Sequence, residues 1–251
     1  MRPPALNPDV HALFLDFDGT LTEIVPTPDA ARLTASRRTR LEALTARFSG
    51  AVAILSGRSV ADLDMRLPRD VWRAGGHGAE IAPPGDGAPS DPAAEERARD
   101  LTARLEPFAA AAPGVMLEPK RMGAALHFRA RPQAERACLD ALAEAAEAIG
   151  GFAVQTGKMV VEARPEGADK GAALARLAAL PGFAGRTPVM VGDDLTDEAA
   201  MAAAMALNGM AVKVGAGETA APFRLADPRE VHAWLDGCLA AAHRDGPPAA
   251  D

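Results

Sequence analysis

The sequence predicts an α/β fold: a doubly wound, Rossmann-like parallel-sheet core with an inserted, smaller α+β cap domain. Three observations carry that prediction. Apolar runs at Ala12–Leu15, Ala51–Leu55 and Pro188–Gly192 are unbroken rather than alternating, as expected of strands buried on both faces. Each run stops at polar residues, Asp16, Ser56 and Asp193, and helical spacing intervenes before the next run. Between the second and third, the composition changes at Ala82-Pro-Pro-Gly-Asp-Gly-Ala-Pro89, a stretch with little to bury that marks a boundary.

Taken in order, Leu21–Leu33 carries Pro26 and Pro28 and reads as a loop. Ser36–Phe48 sets Leu41, Leu44 and Phe48 on one helical stripe, which Ser49-Gly50 closes. Ser59–Leu67 reads as a short helix, and Val71–Ala74 as a third strand leading into Gly75–Ile81. The cap then runs helix (Pro92–Ala112), strand (Val115–Lys120), strand (Gly123–Arg129), helix (Gln133–Ile149), strand (Phe152–Thr156) and strand (Lys158–Glu162). Connections this short make the strands antiparallel, with the helices on one face. The core resumes with a helix from Lys170 to Leu180, the strand at Pro188, a helix at Thr196–Met205, a strand at Met210–Val214 and a last helix at Pro228–Ala241. The resulting domains are 1–83 with 166–251 for the core and 84–165 for the cap. Met1–Asp9 and Arg244–Asp251, rich in Pro, Ala and Asp, read as frayed ends.

A formal charge of -7 argues against a nucleic-acid or anionic-membrane partner, so an anionic substrate must be drawn in by local cations. The two cysteines, Cys138 and Cys238, lie in helix-like apolar patterns without ligand spacing, which fits a reducing cytoplasm. No run approaches a membrane span, and the N-terminus lacks the order of a signal peptide. A soluble cytoplasmic monomer with a small-molecule partner is expected.

Asp16 and Asp18 stand one residue apart at the carboxyl end of a central strand, which is where open α/β sheets bind ligands. Followed by the permissive Gly19, they can share one small space, where their repulsion calls for a cation. Magnesium suits it: it takes one or two carboxylates and completes its shell with water and phosphate oxygens. A strand and turn could use the same residues for turn chemistry alone, so the other segments decide. Lys170 opens a helix, where the dipole disfavours a cation, whereas Asp169 before it is an ordinary N-cap. An anion that the lysine must neutralise explains it better.

These four segments, Asp16-x-Asp18-Gly-Thr20, Ser56, Lys170 and Gly192-Asp193-Asp194, closely resemble in order and context the haloacid dehalogenase superfamily of phosphatases. The resemblance implies a core of that type, magnesium and an aspartyl-phosphate intermediate. In that chemistry Asp16 is the nucleophile and Asp18 the general acid and then base. The metal is held by Asp16, the main-chain carbonyl of Asp18 and Asp193, while Lys170 and Ser56 help to spread the phosphoryl charge. Either Asp194 or Asp197 orients Lys170 and supports the metal site.

Strict alternation in the cap puts Glu118 with Lys120, His127 with Arg129, and Lys158 with Glu162 on polar faces. Leu117, Leu126, Phe128, Met159 and Val161 take the other side. An antiparallel sheet can simply show water a polar face. Carboxylates and a lysine clustered there also suit hydroxyl groups, and hence a sugar leaving group. Ser56-Gly57-Arg58, Gly76-His77-Gly-x-Glu80, Glu118-x-Lys120, His127-Phe-Arg129, Glu162-x-Arg164-Pro-x-Gly167-x-Asp-Lys170-Gly171 and Gly192-Asp-Asp-x-Thr196-Asp-Glu198 together look like the trehalose-6-phosphate phosphatase family, from about Leu13 to Val214. Gly123 stands where a small hydroxyl residue is expected, and Phe128 where tyrosine is commoner. The resemblance implies trehalose 6-phosphate as substrate. It carries Gly19, Thr20, Gly57, Arg58, His77, Glu118, Lys120, His127, Arg129 and Glu162 over as substrate-binding residues. Of these, Glu118, Lys120 and Glu162 would grip the distal glucose, with Arg58 and His77 near the mouth. The rivals are a capped phosphatase for sucrose or mannosyl phosphate and a non-catalytic sugar-phosphate sensor. A sensor has no reason to keep the acid Asp18.

Overall fold

A computed structural model describes residues 1–25 and 27–240. The chain forms two compact units, Met1–Ala88 together with the chain from Asp169 onward, and Pro89–Ala168.

In the first unit the three apolar runs are neighbouring parallel strands: β1 (His11–Leu15), β2 (Val52–Leu55) and, numbered by its place in the chain, β9 (Thr187–Gly192). The full sheet adds β3 (Trp72–Gly75), β4 (Glu80–Ala82), β10 (Met210–Val214) and β11 (Phe223–Leu225), in the order β11-β10-β9-β1-β2-β3-β4. All pairs are parallel except β3 with the edge strand β4. The helices are α1 (Ala35–Arg47), α2 (Val60–Asp64), α5 (Lys170–Ala178), α6 (Glu198–Ala206) and α7 (Pro228–Ala240). Alternate strand residues serve opposite faces. Leu13, Leu15, Ile54 and Val191 pack with Leu41, Leu63 and Trp234 of α1, α2 and α7. Phe14, Ala53, Leu55 and Met190 pack with Leu174, Leu177 and Met201 of α5 and α6. Burial on both faces is why these strands read as continuous apolar runs, and the expected doubly wound α/β core is what the chain adopts.

The second unit has one antiparallel sheet and two helices, α3 (Pro92–Ala111) and α4 (Glu135–Ile149). Its strands are β5 (Met116–Lys120), β6 (Gly123–His127), β7 (Phe152–Gly157) and β8 (Val160–Pro165), in the order β5-β6-β8-β7. Leu126, Val161 and Ala163 back onto Leu101, Leu105, Cys138 and Leu142 of the helices. The opposite face carries Glu118, Lys120, His127 and Glu162.

Several expectations are corrected. Met1–Asp9 is tied down rather than frayed: Leu6 is buried, the Met1 carbonyl accepts from Arg224 N at 2.8 Å, and the Pro4 carbonyl accepts from Trp234 Nε1 at 2.8 Å. Backbone carbonyls there satisfy donors on β11 and α7, which composition alone does not reveal. The other tail, Arg244–Asp251, lies outside the described residues. β4 and β11 were not anticipated, each being only three residues long. Lys158 and Met159 form the turn between β7 and β8, with Met159 at φ 62, so the last cap strand starts at Val160. Arg129 lies past the end of β6, exposed in a turn, so it does not share a strand face with His127. Cys138 and Cys238 are buried and free. Among the described residues, no helix is long and apolar enough to cross a membrane.

Candidate active site

The chain leaves β1 for β2 and β3 on one side and returns to β9 and β10 on the other, so the winding reverses at β1. A crevice at the carboxyl ends of strands at such a switch point is the usual ligand site of an open α/β sheet. Register aligns Leu15 with Ile54 and with Val191, so Asp16, Ser56 and Asp193 emerge together along one edge.

Asp16 is buried and its Oδ1 accepts from Lys170 Nζ at 2.6 Å. Lys170, 4% exposed, also donates to Asp197 Oδ1 at 2.6 Å. Asp197 is used completely, because its Oδ2 accepts from the main-chain N–H groups of Asp193 and Asp194 at 3.0 and 2.9 Å. Asp194 points elsewhere and caps its own turn through Leu195 N. Of the two carboxylates between which the sequence left the choice open, Asp197 is therefore the one that touches Lys170. The Thr20 hydroxyl donates to Asp193 Oδ1 at 3.2 Å. Gly19, at φ 81, is required twice over, since a Cβ there would also overlap the Asp193 carboxylate.

Asp16, Asp193 and Asp197 each offer an oxygen within 4.8 Å of the others. The Lys170 ammonium bonds two of the three, Asp16 and Asp197. Burial, and then Asp197, hold the Asp16 carboxyl above its ordinary range; the same two causes push Asp193 up to about 6. Burial works against the charge on Lys170, but Asp16 and Asp197 outweigh it and keep the lysine protonated. An all-oxygen set with excess negative charge fits a hard divalent cation. Asp197 already uses both oxygens, so Asp16 and Asp193 are the side chains left to bind one.

Asp18 lies apart from this cluster. Both its oxygens are clamped by Arg58, Nε to Oδ2 at 2.6 Å and Nη2 to Oδ1 at 2.7 Å. Ser56 is buried, its Oγ accepting from Arg58 N at 3.2 Å and its carbonyl from His77 N at 2.9 Å. The His77 ring fills the space a Cβ on Gly57 would need. Ser56, Gly57, Arg58 and His77 thus form one loop cluster, joined to Asp18 through Arg58.

In the second unit, Lys120 Nζ donates to Glu162 Oε1 at 2.7 Å, and His127 Nε2 lies 2.6 Å from Glu118 Oε2. The His127 hydrogen bond holds Glu118 below the usual carboxylate range. Lys120 and Glu162 sit opposite Gly123 and Ala125 of the intervening β6, so the lysine reaches over two small residues. Any Cβ at Gly123 would overlap the Ala163 carbonyl, which accounts for glycine there. Arg129 is not brought to these four residues.

A second buried lysine stands beside the cluster. Lys213 of β10 donates to the main-chain carbonyl of Asp193 and is only 4% exposed. Its signal was present: a lysine inside the apolar run Met210–Val214.

A family model described as trehalose-phosphatase matches residues 14–229. The chain is 40% identical over 227 residues to the trehalose-6-phosphate phosphatase of Escherichia coli (strain K12), covering 90% of this chain and 85% of that protein. It is 38% identical to the probable trehalose-phosphate phosphatase of Sinorhizobium fredii (strain NBRC 101917 / NGR234), covering 84% of this chain and 81% of the relative. Among solved structures, a trehalose-6-phosphate phosphatase related protein aligns with a TM-score of 0.78 at 26% identity, over 94% of this chain and 100% of that one. The C-terminal domain of the Candida albicans trehalose-6-phosphate phosphatase aligns at 0.75 and 25% identity, over 95% and 98%. With a family match across most of its length, and with the strand-end carboxylates and lysine in one cluster, this chain belongs to the trehalose-phosphatase family.

Proposed function

We propose that the chain is a magnesium-dependent phosphoric monoester hydrolase that converts trehalose 6-phosphate to trehalose and phosphate, the last step of trehalose biosynthesis. The observation that carries this reading is Asp16 at the switch point, bonded to Lys170, with a second carboxylate two residues on. The activity named for the E. coli relative supports the choice of sugar. The two free, buried cysteines are in keeping with a reducing cytoplasm.

An Asp16 oxygen attacks phosphorus in line, the bond from phosphorus to the sugar oxygen breaks, and Asp18 delivers a proton to that oxygen. Water then attacks the aspartyl phosphate, Asp18 takes its proton, and phosphate leaves with the Asp16 carboxylate restored. Lys170, fixed by Asp197, and the Ser56 hydroxyl stabilise charge on the phosphoryl oxygens. Asp16, Asp193 and the Asp18 main-chain carbonyl would hold magnesium, which when bound spreads the phosphoryl charge and relieves the crowding of carboxylates. Glu118, Lys120 and Glu162 take the sugar hydroxyls.

Phosphate release measured on trehalose 6-phosphate, sucrose 6-phosphate and glucose 6-phosphate, with magnesium and with chelator, tests the reading. Trehalose 6-phosphate is expected to be strongly preferred, and chelation to stop a reaction that added magnesium restores. Equal rates on all three sugars would remove the trehalose assignment; full activity in chelator, with metal verified absent, would remove the metal.

A further inference from the structure

Asp18 must release a proton to one oxygen and later collect one from water, yet both its oxygens are engaged by one guanidinium. A planar two-bond clamp of this kind fixes the carboxylate in angle as well as distance. To reach a leaving group, Asp18 must loosen one of the two bonds, and an arginine held by nothing else would follow it. Arg58 is held elsewhere. Its Nη1 donates to Asp62 Oδ2 at 2.7 Å, and its guanidinium lies over the Phe17 ring, 5.5 Å from the centroid.

Asp62 is itself secured on three sides. Its main-chain N–H donates to the Ser59 hydroxyl, the N-cap of α2, at 3.2 Å. Arg66 Nε and Nη2 donate to its two oxygens at 3.0 and 2.7 Å, and Arg66 Nη1 donates onward to the Ala31 carbonyl at 3.0 Å. A continuous chain of charge-assisted bonds therefore runs from Asp18 through Arg58 and Asp62 to a buried arginine.

We propose that Asp62 is a positioning residue for the proton-transfer steps: it anchors the far edge of Arg58, so that the guanidinium stays in place while Asp18 exchanges one of its two bonds for the leaving oxygen or the attacking water. The inference rests on Asp18 being the acid and base of the proposed phosphatase. Without Asp62 the arginine keeps its charge and its bond to Asp18 but loses the bond that anchors its Nη1 edge. Misplacement of a reacting group by about 1 Å costs on the order of a hundredfold.

The test uses the full-length chain with magnesium and compares Asp62→Asn with the parent on two substrates. On trehalose 6-phosphate, kcat should fall about ten- to a hundredfold with little change in KM. On p-nitrophenyl phosphate the leaving group needs no proton, so the first burst of p-nitrophenolate should keep its rate, and its amplitude counts the folded sites. Asp62→Glu, which keeps the charge for Arg66 but displaces the bond to Arg58, should show the same pattern more weakly. In an Asp18→Asn background, Asp62→Asn should add no further loss. An equal fall in burst rate and in sugar-phosphate turnover, or a loss that adds to that of Asp18→Asn, would overturn the positioning role and leave Asp62 as a structural brace. If Asp18→Asn alone left turnover intact, the acid–base reading of Asp18 would fall, and this inference with it.

Discussion

The strand-end cluster and the polar face of the cap sheet are both built from carboxylates and cations, but they treat charge in opposite ways. At the strand ends the buried Asp16 and Asp197 and the half-buried Asp193 crowd together, one lysine bonding the two buried acids, held there by backbone register and by main-chain N–H groups that fill Asp197. On the cap face, each acid has its own partner, Glu118 with His127 and Glu162 with Lys120, and all four side chains keep some contact with water. Partly exposed pairs of that kind are worth only ~0–1 kcal/mol, so exchanging them for hydrogen bonds to hydroxyl groups costs little. The contrast teaches a division of labour. On the proposed function, the chemistry uses an imbalance of charge that the fold must restrain, and recognition a balance that a ligand can readily replace.

The largest effect expected from this contrast is at Asp16. Asp16→Asn should lower turnover at least about a thousandfold, since the amide is isosteric but a poor nucleophile. It should also melt no lower than the parent in metal-free buffer, because it removes one of three mutually repelling carboxylates. Turnover near the parent rate in the folded variant would sink both the mechanism and the comparison.

A smaller, substrate-dependent effect belongs to the cap. Glu118→Ala and Lys120→Ala should each reduce kcat/KM for trehalose 6-phosphate about ten- to a hundredfold, the value of one hydrogen bond to a charged group. Hydrolysis of p-nitrophenyl phosphate, which has no sugar to hold, should barely change. Equal losses on the two substrates would mean that the variants had damaged more than sugar recognition.

The smallest effect concerns His232 of α7, a buried core group whose Nε2 donates to the Leu21 carbonyl at 2.9 Å just after the Asp16–Thr20 segment. Burial lowers its affinity for a proton; the Leu21 hydrogen bond and Asp236 oppose that, while Arg37 and Arg40 add to it. The folded chain therefore declines a proton that the unfolded chain accepts below about pH 6.5. Its contribution to stability is complete above that pH and is lost as pH falls towards the lowered folded value. Urea titrations across this range should show a shallower acid-side loss for His232→Gln than for the parent; identical slopes would refute the assignment.

Much of the core was legible because burial on both faces writes itself as an apolar run, and because Asp16, Ser56 and Asp193 punctuate those runs. The short strands β4 and β11 were not, since three residues carry no period. Within the site, a cation placed against the helix dipole pointed to Lys170, but nothing local could decide between Asp194 and Asp197, which differ only in which way a turn directs them. The clamp of Arg58 on Asp18 spans forty residues of sequence and left no local trace. Its continuation was visible in principle, as Arg58, Asp62 and Arg66 recur at the four-residue spacing that brings opposite charges together on a helix. The cap alternation put Glu118 and Lys120 on one face of β5, yet it ran β6 past its end to Arg129 because nothing in the residue types announces the turn.

Gly123 bears on how this sheet could be remodelled. Because the Ala163 carbonyl occupies the place of a Cβ, a hydroxyl-bearing side chain cannot be introduced at that position by substitution alone. Strand β8 would first have to move, and β8 also carries Glu162, the acid bonded to Lys120. Redesign of this face is therefore a two-strand problem, and libraries that vary position 123 singly should yield mostly disturbed sheets.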